Sequence, residues 1–169
     1  MKDPKKHDAK DDAKDDARQW AETRAQVLYA GEQVRHRSCG VSIAETFSED
    51  AEPYVGLRKG GLTGCATCGA IQAGTLVLAR RLGGDDPVGP APQRLVDAAH
   101  GYERRWRQRL GLADDADVSC RALTAQFEDF RGPQRHQHCT TIAETVAGCV
   151  AEGLAEAGEE IARPTLPDR

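Results

Sequence analysis

Residues 63–84, TGCATCGAIQAGTLVLARRLGG, decide how this chain reads. Ile71, Leu78 and Leu82 recur at helical spacing and Gly83-Gly84 supplies a stop signal. Nothing in the stretch alternates with the period of two that a half-buried strand needs. The pattern predicts a helix over 63–82 whose first half is small residues and whose second half is apolar.

Helical spacing recurs on both sides of this segment. Trp20, Val27 and Val34, with Ala21 and Leu28 beside them, predict a first packed helix running to about Arg35. Cys39, Ile43 and Phe47 predict a short helix after Ser38 that stops before Pro53. Downstream, the helical series are Leu95, Ala99, Tyr102, Trp106 and Leu110; then Leu123, Phe127 and Phe130 over 120–130; then Ile142, Val146, Cys149 and Val150 over 139–161. No segment carries the β-branched alternation of a strand, so the expected fold is all-α, a single-domain bundle of about five to six helices. A chain of 169 residues suits one domain with its own core.

The ends differ in composition from the middle. Residues 8–17 repeat Asp, Ala and Lys without an apolar stripe, and five of the six lysines lie at or before Lys14. The expected organisation is a charged, flexible arm over 1–17, a cysteine-containing helical domain over 18–163 and a short tail over 164–169.

A formal net charge of -4 gives no driving force for holding a phosphate backbone, which argues against nucleic acid as a partner. No apolar run approaches the ~20 residues that span a bilayer. The first residues are charged and lack the apolar core of a secretory signal, so the expected compartment is the cytoplasm. There, six cysteines read as metal-binding or redox thiols rather than a disulfide framework. No Ser-His-Asp order, P-loop or dinucleotide fingerprint points to hydrolase, kinase or dehydrogenase chemistry.

Cys65-Ala-Thr-Cys68 is the sharpest local feature. In the first turn of a helix a thiol meets unpaired N–H groups and the positive end of the dipole, which favours thiolate. Spacing of i, i+3 places both sulfurs on one face, suited to a disulfide or a shared metal. No strand precedes the motif, which excludes a thioredoxin-like context, and Gly69 stands where a c-type haem site requires His. Among the histidines, His138 directly before Cys139 is the candidate extra ligand. Cys149, on the apolar face of the last helix, reads as a small buried hydrophobe outside the site.

Arg37-Ser-Cys39, Cys68-Gly-Ala-Ile-Gln-Ala-Gly74, Cys120-Arg-Ala-Leu123 and His138-Cys139 together resemble, in order, the redox-active protein family named for its C_GCAxxG_C_C cysteine pattern. The resemblance covers roughly residues 37–152. Gly64-Cys-Ala-Thr-Cys-Gly69 also fits the pattern in a register three residues earlier. The extra thiol of the Cys65/Cys68 pair, Cys149 and Ala122 in place of the usual Glu depart from it. What the resemblance implies is a redox or metal role for Cys39, Cys68, Cys120 and Cys139.

Three functions follow as expectations. The leading one is a redox-active protein whose cysteine thiolates hold an iron–sulfur cluster or another thiolate-bound metal, with Cys39, Cys68, Cys120 and Cys139 as ligands and Cys65 and His138 as further candidates. A second is metal-free thiol–disulfide exchange, with Cys65 and Cys68 as the catalytic pair. A third is a helical interaction domain held together by structural zinc. The expected partner is a redox protein, and a homo-oligomer is compatible with the sequence.

Overall fold

Small residues set how closely the two longest helices approach. The computed structural model describes residues 9–168, in which α1 (Ala9–Ala30) and α7 (Pro133–Glu156) run antiparallel. Lys14 near the start of α1 pairs with Glu156 at the end of α7 at 3.6 Å, and His136 near the start of α7 reaches the Ala30 carbonyl at 3.2 Å. Their buried faces are Ala17, Ala21, Ala25 and Leu28 on α1, and Ala143, Val146, Ala147, Val150 and Ala151 on α7. A methyl group on Gly148 would stand 2.5 Å from Glu22 Oε1, so this residue too keeps the helices close.

Between them the chain forms α2 (Cys39–Thr46), a 3-10 turn at Glu52–Leu57, the single turn α3 (Arg58–Gly61), α4 (Gly69–Leu82), α5 (Gln93–Arg109) and the short α6 (Cys120–Thr124). The helix α4 packs on α2 and α7, and α5 packs on α7 and α4. No strand occurs among the described residues; Thr67 and Ser119 form one isolated antiparallel bridge. The all-α, single-domain expectation holds; the described residues form seven α-helical segments rather than five or six, the added one being the single turn α3.

Several boundaries move, each for a local reason. The helix expected from Thr63 starts at Gly69, because Gly60, Gly61, Leu62 and Gly64 all adopt positive φ and residues 64–68 pair with 118–121 instead. The first helix ends at Ala30 rather than near Arg35, with Gly31 at φ 76° turning the chain. The helix at Cys120 stops at Thr124, and α7 begins six residues before Cys139, where Gly132 is the N-cap and Pro133 the first helical residue. It closes at Glu156, ahead of Gly158 at φ 74°.

Residues 1–8 of the expected arm lie outside the described residues. Residues 9–17 are helical and continuous with α1, and burial begins at Ala17. At the other end the buried Arg24 guanidinium donates to the Pro164 and Thr165 carbonyls at 2.8 and 3.2 Å, laying the tail across α1. Among the described residues no helix is long and apolar enough to cross a membrane.

Candidate functional site

Backbone pairing brings the first two thiols together. Cys68 N–H donates to the Val118 carbonyl at 2.8 Å, Cys120 N–H to Ala66 at 3.1 Å and Arg121 N–H to Gly64 at 2.8 Å, so Cys68 and Cys120 come from neighbouring segments. Cys68 is the N-cap of α4 and Cys120 the first residue of α6. Cys39 opens α2, and Cys139 lies in the second turn of α7. Two glycines permit this convergence. A Cβ on Gly69 would fall 2.7 Å from Cys39 Sγ, and one on Gly60, at φ 56°, would fall 2.7 Å from Cys120 Cβ.

Cys39, Cys68, Cys120 and Cys139 wall one cavity of about 300 Å³. Tyr29, His36, Ser38, Arg58, Lys59 and Arg135 complete its polar lining, while Leu123, Phe130 and Ile142 supply apolar wall. All six cysteines of the chain are free thiols.

The thiols sense one another. Burial, followed by the Cys39 thiol, pushes Cys68 up to about 12; the amides of Ile71 and Ala70 pull the other way. Burial likewise raises Cys39, against which the amides of Lys59 and Gly40 act, with Cys139 adding to the rise. Cys120 is raised by burial and then by Cys139 and Cys39. Each of these three is therefore held as a neutral thiol, with backbone N–H groups at Cys39 and Cys68 facing the sulfur where a thiolate would form.

Cys65 and Cys68 do not share a face. Cys65 lies in the loop before α4, exposed, with Arg121 Nη2 3.1 Å from its sulfur, and does not border the cavity. The loop is extended here because it forms the Thr67–Ser119 bridge, which breaks the i, i+3 helical geometry that the sequence suggested. His138 is also outside the lining; its ring lies against Phe127 at 5.2 Å, and its Nε2 is buried without a partner. Cys149 is fully buried away from the cavity, 3.4 Å from Arg109 Nη1.

Sequence reasoning missed the cavity's polar residues. His36, three residues before Cys39, borders it, and its ring makes an edge contact with Tyr29 at 5.0 Å. Arg135 Nη1 donates to Tyr29 Oη at 3.1 Å. The one available signal was that His36, Ser38 and Arg135 lie within four residues of Cys39 or Cys139. Arg58 and Lys59 carry no such mark, being delivered by the turn after α2.

Among the described residues no three His, Cys, Asp or Glu side chains are drawn closely enough to hold one metal ion. A tetrahedral zinc needs its sulfurs ~2.3 Å from a single point. The four thiols instead ring one cavity.

The chain matches no family model, no curated protein and no solved structure.

Proposed function

We propose that the cavity is a thiolate-ligated redox centre of the iron–sulfur type, with Cys39, Cys68, Cys120 and Cys139 as ligands. One observation carries the reading: four cysteines separated by up to 100 positions wall one cavity of about 300 Å³. Bound there, the cluster would supply reversible one-electron chemistry. The chain's own part is to present soft donors, with amides facing Cys39 and Cys68 and cations nearby to offset thiolate charge. These are also the four cysteines on which the resemblance to the C_GCAxxG_C_C family rests, and that membership is part of the proposal, as are a cytoplasmic setting and a redox protein as electron partner.

The two other readings have less support. Exchange between Cys65 and Cys68 would require an accessible, easily ionised pair, whereas Cys68 is 8% exposed and pushed up to about 12. Structural zinc would require donors gathered on one point, which the described residues lack.

The test is iron, sulfide and zinc analysis with an ultraviolet–visible spectrum of anaerobically purified protein. Charge-transfer bands with bound iron and sulfide are expected. They should disappear in Cys39→Ser, Cys68→Ser, Cys120→Ser and Cys139→Ser and persist in Cys65→Ser and Cys149→Ser. Retention in any of the first four removes that residue from the ligand set, and absence of iron after anaerobic reconstitution overturns the reading.

A further inference from the structure

The cavity carries more positive charge than its thiols explain while they are protonated. Arg58, Lys59 and Arg135 line it, and its wall contains no Asp or Glu. Elsewhere arginines find acids: Arg37 reaches Glu45 at 2.9 Å and Arg109 reaches Glu152 at 2.8 Å. Around the cavity, two cations share an aromatic ring instead. Lys59 Nζ lies 5.3 Å and Arg135 Cζ 4.5 Å from the centroid of Phe130. Cation–π contact fixes the position of a charge without cancelling it.

Two further features lie at the same wall. Ser38 borders the cavity with its hydroxyl oxygen sealed from solvent and without a hydrogen-bond partner, although it occupies the N-cap position of α2. Lys59 is held at φ 51°, a left-handed conformation uncommon for a non-glycine residue. The turn that holds it is closed by Gly64 N–H to the Lys59 carbonyl at 2.8 Å and Leu62 N–H to Arg58 at 2.9 Å.

We infer that the mouth of the cavity binds a small oxyanion, a carboxylate or a phosphate, gripped by Arg58, Lys59 and Arg135 beside the thiols. The Arg58 guanidinium suits both anions through paired N–H donors, Arg135 adds charge while donating to Tyr29 Oη, and the exposed Arg58 and Lys59 mark the entrance. The anion site rests on the thiol-centre reading for what the bound group would meet, namely a redox centre at its side. The cations stand independently of that reading.

Isothermal titration calorimetry of the full chain, with inorganic phosphate and separately with malonate at constant ionic strength, tests it. One-site binding of at least one probe is expected, weakened about tenfold or more in Lys59→Asn and Arg58→Ala. Asn tolerates the left-handed backbone at position 59, and both side chains are exposed, so these variants keep the fold. Phosphate alone, malonate alone or both would name the anion class and support the inference. Failure of both probes to bind at millimolar concentration, or equal binding by the variants, overturns it. Metal content is read in parallel. Loss of metal in Lys59→Asn with no anion binding assigns the cations to thiolate charge alone and overturns the anion site, leaving the metal reading intact. Anion binding to protein that never takes up iron does the reverse.

Discussion

Replacing Gly69 by alanine adds one methyl group at the start of α4, where helix propensity alone favours alanine by up to ~1 kcal/mol. The new Cβ would stand 2.2 Å from the Leu57 carbonyl oxygen, 2.7 Å from Cys39 Sγ and 2.9 Å from the Leu57 carbonyl carbon. Two of these neighbours are backbone, so relief requires the start of α4 to move away from the turn at Leu57 by about 1 Å, the gap between that contact and an ordinary one. Overpacking of this kind costs roughly 1–3 kcal/mol, which outweighs the propensity gain. A 2.2 Å contact with backbone puts the cost near the top of that range, and in a domain of this size a net loss of about 2 kcal/mol lowers the melting temperature by roughly 4–8 °C. The same movement carries Cys68 away from Cys39, so on the proposed reading bound metal should fall along with stability. Thermal unfolding followed by circular dichroism, with metal analysis on the same sample, measures both. Gly56→Ala is the control, because a Cβ there meets nothing within 4 Å. An unchanged or higher melting temperature in Gly69→Ala with full metal content would refute the claim that this glycine exists to let the two thiols approach.

Other expectations follow from the same contacts. In the metal-free reduced protein, burial holds the Cys68 thiol up at about 12 against an ordinary 9.0. The folded state therefore binds more protons than the unfolded chain in that window. Stability should be complete below pH 9 and decline towards pH 12 by up to ~1.4 kcal/mol per unit, with urea denaturation at pH 7.5 and 10 as the check and a flat profile as the disproof. Tyr102→Phe removes the buried hydroxyl that donates to the Ile71 carbonyl at 2.7 Å and should cost about 1 kcal/mol in the same assay. Glu152→Gln should cost about 3 kcal/mol, since this buried carboxylate faces Arg109 at 2.8 Å and both Arg18 and Arg105 at 3.8 Å; an unchanged urea midpoint would show that the three guanidiniums tolerate one another.

Periodicity and composition were enough for the helical class, because the apolar positions of α5 and α7 follow the 3.6-residue repeat and that repeat is a local property of the chain. The absence of strands was equally local. Gly31 and Gly158, at positive φ, end α1 and α7 short of the limits expected near Arg35 and 161, and the helix expected from Thr63 gives way around Gly64. There glycine builds a left-handed turn and an extended loop rather than a helix start. Pairing between 64–68 and 118–121 joins segments some 50 residues apart and leaves no periodic trace in either. That pairing alone separates Cys65 from Cys68, delivers Cys68 beside Cys120 and sends Cys65 to the surface under Arg121. Which residue types could make a site was thus contained in the sequence. Which of them share a cavity was decided by packing, since the approach of Cys39 to Gly69 and the clamping of Lys59 and Arg135 on Phe130 depend on elements that meet only in the folded chain.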